Sequence, residues 1–334
     1  MLSKEKILDL PFVYTVNSFV LDNQLYIAAG SEKEFPAYLY EMGRNNLLKI
    51  TDGPGGMMSL VQLPGTDFDF FSVMGLFPPF IGSAAGVFFH RRISEGWSAE
   101  KVLSLPFAHR CEIIRHRGQN HMFVASVSRF KADPADWSKP GELHHIILPE
   151  EVEGELQTEV LVNNLYRNHG MTKSVLDGNE TLCISGDSGI YGLVPSGENS
   201  WAVRHLFDKE VSEFAFFDLD DDGEEELAII EPFHGNSLSL YKLDKGKWMK
   251  FYSSQLSFGH GLSAGIFKNQ RVIVVGNRKG TESLEMHVVQ AIDNVEKLII
   301  EEHVGPTQTK VFSYDNVDYI LSSNQLKNEV ALYY

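Results

Sequence analysis

Three histidines recur at one place in a repeating pattern. His109, His169 and His260 each open a short apolar run, and Glu213 and Gln308 stand at the corresponding place of two further runs. Imidazoles joined by an amide or carboxylate oxygen form a donor set for a divalent transition metal, Zn, Mn or Fe, with a position left for substrate. In this reading His109, His169, His260 and Gln308 are the ligands. Glu213 is the general base, with His234 as the alternative. Arg110, Glu231, Arg278 and Asn324 fall on the same side of the pattern, where they could hold the hydroxyls or carboxylate of a substrate. A metal beside a carbonyl acidifies the adjacent C–H bond. The expected chemistry is therefore dehydration or β-elimination of a sugar, or isomerisation if the proton returns elsewhere. A lone histidine at such a place is most often a hydrogen-bonding spacer; three in register with Glu and Gln point instead to a ligand site.

A second constellation is Asp218, Asp220, Asp222 and Glu226, carboxylates that alternate along a turn containing Gly223. Oxygen-only donors suit calcium, here in a structural role. The spacing to Glu226 is shorter than an EF-hand loop requires, and the alternative is a solvated acidic turn.

The elements that must position these residues are strands. Short apolar runs such as Gln24-Leu-Tyr-Ile-Ala-Ala29, His121-Met-Phe-Val-Ala-Ser126 and Arg271-Val-Ile-Val-Val-Gly276 recur along the chain, each preceded by a turn signal such as Leu21-Asp-Asn23. With His169, Glu213, His260 and Gln308 as equivalents, the steps are 44, 47 and 48 residues. The longer step of 60 from His109 to His169 is explained by an insertion at 131–141 in the third unit. That insertion, with Asp136-Trp137, reads as a lid or a surface loop, and Phe77-Pro-Pro-Phe80 as a packed loop. Units of this length match the four-stranded blade of a β-propeller, in which closure removes free sheet edges. The expectation is an all-β chain, one β-propeller domain over 1–334, of about seven four-stranded blades, with the working site in its axial pocket.

The segment Asp218-Leu-Asp-Asp-Asp-Gly-Glu-Glu-Glu-Leu-Ala228 resembles the Asp-x-Asp-x-Asp-Gly hairpin of FG-GAP and VCBS-type propeller repeats. Residues 212–241, together with Gly259-His-Gly261 and Gly305-Pro-Thr-Gln308, resemble blades in the propeller part of aldos-2-ulose dehydratases, over roughly residues 100–334. The resemblance implies a propeller acting on a keto sugar as a carbon–oxygen lyase. The resemblance is to the propeller part of those dehydratases and does not extend to their other domains. Oligogalacturonate lyases, another propeller family, are similar in using a histidine-rich metal centre.

Composition bounds the partners. A formal net charge of −16 argues against a nucleic-acid or anionic-membrane footprint and favours a neutral sugar over a polyuronate. No apolar run is long enough to span a bilayer. The N-terminus carries no signal-peptide pattern, and Cys111 and Cys183 sit inside strand-like runs as reduced thiols; the expected compartment is the cytoplasm. Two other functions compete: a non-catalytic propeller that binds protein or glycan, and a hydrolase using Glu213 and Glu231 as paired carboxylates.

Overall fold

A computed structural model describes residues 2–77 and 82–334; Pro78, Pro79 and Phe80 of the Phe77–Phe80 segment lie outside the described residues. The chain is all-β and folds as a β-propeller of seven four-stranded antiparallel blades, with two short 3-10 turns as the helical content of the described residues. Blades 1 to 6 cover residues 13–51, 59–104, 108–165, 171–207, 213–255 and 259–301. Blade 7 covers 306–333 and takes its fourth strand from the N-terminus, where Lys4–Asp9 pairs with Glu329–Tyr333. Among the described residues no helix is long and apolar enough to cross a membrane.

Two compact units are distinguished, Asn17–Lys209 and Met1–Val16 with Glu210–Tyr334. In the first, Phe123, Ala125 and Leu143 of blade 3 pack with Leu182, Ile184, Leu193 and Trp201 of blade 4. In the second, Ile230, Leu238 and Leu240 of blade 5 meet Ile273 and Val275 of blade 6. Val272, Ile273, Val274 and Val275 are all buried, as a strand covered on both faces requires. Each such side chain contributes roughly 1.5–3 kcal/mol by leaving water.

The tight hairpins follow the turn signals. Asp22-Asn23, Lys268-Asn269 and Asp315-Asn316 have φ between 48° and 60° at both residues, the twist that suits a two-residue hairpin.

Two backbone devices recur at the blade entries, a left-handed residue in six blades and a β-bulge in three of them. Phe12, Gly56, Phe107, Arg167, Phe258 and Gly305 all have φ between 45° and 59°, and each lies two residues before Tyr14, Met58, His109, His169, His260 and Thr307 respectively. A left-handed non-glycine residue costs about 1 kcal/mol, so its recurrence reflects a demand of the fold. The second device is a β-bulge. Ala108 faces Ser126 and Arg110 faces Ala125, which leaves His109 as the extra residue. Gly259 faces Asn277 and Leu262 faces Val275, leaving His260 and Gly261 in the bulge. In blade 7 Pro306 faces Asn324 and Thr309 faces Ser322, leaving Thr307 and Gln308.

These registers correct the expected equivalences. Thr307, rather than Gln308, corresponds to His260, and Gln308 corresponds to Gly261. A Cβ on Gly261 would come within 3.0 Å of the Gln308 backbone, so the small residue lets blades 6 and 7 approach. Glu213 begins the regular ladder opposite Ile230, the place of Arg110, Leu262 and Thr309, and Ser212 precedes it. Because strand side chains alternate, an offset of one residue aims a side chain at the opposite face.

Candidate functional site

In the Asn17–Lys209 unit the entry residues of blades 3 and 4 meet. The rings of His109 and His169, both buried, lie 4.7 Å apart, and Arg110 Nε donates to the His169 carbonyl at 3.1 Å. Nearby in sequence, Arg167 grips Asp187 through Nε and Nη2 at 2.8–3.0 Å.

The Met1–Val16/Glu210–Tyr334 unit holds a more developed arrangement. His260, 1% exposed, donates from Nδ1 to the Thr307 carbonyl at 2.6 Å. A carbonyl can only accept, so the bond fixes the proton on Nδ1 and leaves Nε2 with its lone pair. The Tyr14 hydroxyl lies 3.3 Å from that nitrogen. Thr307 is itself anchored, its hydroxyl 2.8 Å from the Tyr14 carbonyl and 2.7 Å from Ser323 Oγ. His234 stacks on His260 at 5.1 Å, and the two rings offer nitrogens within 4.8 Å of one another. His234 is held by its backbone N–H on Ser212 Oγ (3.1 Å) and by stacking on Phe233 (4.0 Å) and Phe258 (4.7 Å). Both His234 and Phe258 are in the left-handed region, φ 46° and 57°.

His234, with His260 buried behind it, lines an open cavity of about 530 Å³. Three loops line it: Pro232 to Asn236, Gln255 to Phe258, and Lys279, whose ammonium lies 4.9 Å from the Phe258 ring centre. A second cavity, about 390 Å³, lies in the other unit beside Asp52, Glu95 and Trp97. Trp97 is committed there, with Nε1 donating to the Phe68 carbonyl and its face under Arg92.

Several residues expected to meet substrate or metal have other work. Gln308 Oε1 accepts from Val16 N at 2.9 Å and Thr15 Oγ1 at 3.0 Å, which uses both lone pairs of the oxygen expected to ligate a metal. Glu231 accepts from Ser239 Oγ and Lys250 Nζ, both at 2.6 Å, with the Tyr241 hydroxyl at 3.3 Å. Burial works to raise its carboxyl, but these partners outweigh it and hold the group below its ordinary range. Asn324, fully buried, donates to Glu329 and to Tyr333 Oη, both at 2.9 Å, and accepts from Ser322. Arg278 Nη2 donates to Gln325 Oε1. Glu231 and Asn324 are thus clamps within their own sheets. Glu213 is buried at the start of its strand.

The acidic hairpin carries its own cation. Asp218, Asp220 and Asp222 bring oxygens within 4.8 Å of one another. Lys242, from the third strand of the same blade, reaches Asp220 at 2.7 Å, Asp222 at 2.6 Å and Glu226 at 2.9 Å. Burial opposes the ammonium, yet its carboxylate partners raise Lys242 above its ordinary value. Burial dominates at Glu226 and lifts its carboxyl, despite Lys242 and the Leu219 N–H at 2.7 Å. Asp218 is spent on the turn backbone, accepting from Asp221 N at 2.7 Å and Gly223 N at 3.1 Å. The expected calcium ligands therefore surround an ammonium.

Sequence reasoning passed over Tyr14, Phe258, Lys279 and Lys242. Phe258 carried one usable signal: it stands two residues before a candidate histidine, as Phe107 does before His109. Lys242 carried none, since it approaches the hairpin only through strand pairing.

No family model matches the chain, and no curated protein does. Among solved structures it is similar to a functionally unknown protein from Desulfotomaculum acetoxidans DSM 771, with 12% sequence identity, 85% of this chain and 88% of that chain covered, and a TM-score of 0.54. At that identity the likeness extends to the fold alone.

Proposed function

We propose that the chain recognises a small carbohydrate in the cleft beside Phe233, His234 and Phe258 and acts on it as a cytoplasmic carbon–oxygen lyase, with His234 and His260 as the chemical centre. The observation that carries this reading is the His260 tautomer. Its Nδ1–H is tied to the Thr307 carbonyl, its Nε2 is the acceptor nitrogen facing the Tyr14 hydroxyl, and a second imidazole lies alongside it at the edge of an open cleft. This is the second-sphere pattern that metal-ligating histidines use. His234 thereby becomes a ligand candidate, and Gln308 is withdrawn as one. A divalent Zn, Mn or Fe ion held by these nitrogens would supply Lewis acidity toward a sugar carbonyl or carboxylate.

The chain's own residues do the rest. The aromatic wall orients the ring by stacking. Glu213 follows Ser212, the residue that anchors the His234 backbone, and is the proton acceptor of this proposal. Its carboxylate takes the proton from the carbon next to the carbonyl. A C=C bond forms as the neighbouring C–O bond breaks, and the oxygen leaves with a proton as water or as an alcohol. The similarity of 212–241 to blades of aldos-2-ulose dehydratases, and of 218–228 to FG-GAP and VCBS hairpins, supports the same chemistry.

A second reading is a non-catalytic glycan-binding propeller. It is favoured by the commitment of Gln308, Glu231 and Asn324 to bonds within the fold. Metal content by mass spectrometry on chelator-free protein separates the two. The lyase reading expects about one equivalent of Zn, Mn or Fe, lost in His260→Ala and in His234→Ala. Metal-free wild-type protein that still binds sugar would leave the binding reading in its place.

A further inference from the structure

Among the described residues, the side chains at the cleft divide into those already engaged and those that are not. Glu231, Arg278 and Asn324 lie outside the lining of the cleft and are engaged by partners of their own, and of the lining side chains His234 is held in its ring stack. Asn236, Gln255 and Ser257 make no side-chain hydrogen bond within the protein, although all three line the cleft and are exposed. Lys279 is likewise without an ion pair; its ammonium rests only against the Phe258 ring. No Asp or Glu lines this cavity, in a chain with 45 acidic and 29 basic residues. A wall free of carboxylate and bearing one unneutralised ammonium concentrates negative charge locally, whatever the net charge of the molecule.

We infer that the cleft takes a sugar bearing one carboxylate, a uronic or aldonic acid, rather than a neutral sugar. This rests on the carbohydrate reading of the site and departs from the preference that net charge alone suggested. The carboxylate pairs with Lys279 Nζ, a charge-assisted bond that a neutral hydroxyl does not replace. The amides of Asn236 and Gln255 and the Ser257 hydroxyl take the ring hydroxyls, and Phe258 with Phe233 takes the apolar face. Lys279 suits this role because its point charge sits on a flexible stem at the cleft mouth.

The test is calorimetric titration of the full chain with glucuronate, galacturonate and gluconate, set against glucose and galactose. Wild-type protein is expected to bind at least one acid about tenfold more tightly than its neutral counterpart, and to lose that margin as salt is raised. Lys279→Met is expected to abolish the margin, with Lys279→Arg restoring it. Equal binding of acid and neutral sugars by wild type, with both lost in Phe258→Ala, would overturn the charge assignment and keep the cleft. Binding of neither class would overturn both.

Discussion

Replacing Lys242 with Met is expected to lower stability by about 2 kcal/mol at neutral pH. The variant keeps the aliphatic stem and removes only the ammonium, leaving the carboxylates of Asp220, Asp222 and Glu226 facing one another. Glu226 has a side chain only 1% exposed and that of Asp220 is 16% exposed, so water cannot take over the role of the cation. The Met variant should recover part of the loss in millimolar calcium, since the oxygens are already arranged to receive a cation. Wild-type protein should melt at one temperature with calcium or with chelator. Denaturant and thermal unfolding check all of this. A Met variant as stable as wild type, or a wild type that chelator destabilises, would contradict the account of the hairpin.

The second large effect is acid sensitivity from buried neutral histidines. His90 is fully buried with Nε2 2.7 Å from Ser72 Oγ, and burial pushes it down to about 4. His121, also fully buried, is likewise pushed down to about 4, first by burial and then by the neighbouring His145 and His116. A relay orders its protons: Glu159 Oε1 lies 2.8 Å from His145 Nδ1, and His145 Nε2 lies 2.9 Å from His121 Nδ1. In the unfolded chain both histidines take up a proton near pH 6.5, whereas in the fold they resist it until about pH 4. Their stabilisation is therefore complete above pH 6.5 and is lost as pH falls from 6.5 toward 4. The loss is about 3 kcal/mol at His90, and His121 adds a loss in the same direction. Glu285 and Glu301, held down at about 2, add losses only below about pH 4.5, so the upper part of the window belongs to the histidines. His90→Gln keeps a partner for Ser72 and removes the titration. Its unfolding free energy should fall less steeply between pH 6.5 and 4.5. An unchanged slope would remove His90 as the source.

Much of the fold could be read from the chain because its signals are local. The runs at 24–29 and 271–276 are strands, and the Asp-Asn and Lys-Asn pairs are left-handed hairpin turns as their composition predicts. The fourth strand of blade 7 was not legible, since Lys4–Asp9 pairs with residues more than 300 positions away. At the candidate site, His109, His169 and His260 share an entry position, but the alignment at Gln308 and Glu213 was one residue out. The bulge adds one unpaired residue in blade 3 and a two-residue step in blades 6 and 7, a difference that spacing alone does not reveal. Arg110, Glu231, Arg278 and Asn324 looked available because their partners, a backbone carbonyl or residues on adjoining strands and loops, are chosen by tertiary pairing. The cleft draws on three loops with no periodic pattern, which is why Phe258 and Lys279 were passed over.

The most direct measurement is calorimetric titration of sugar acids into wild type and Phe258→Ala, each first verified as folded by its thermal transition. With the recognition site in the cleft lined by 232–236, 255–258 and Lys279, wild type binds and Phe258→Ala loses affinity about tenfold or more, the loss of one stacking face and its packing. A folded Phe258→Ala protein that binds as tightly as wild type would place recognition elsewhere and contradict the site assigned here.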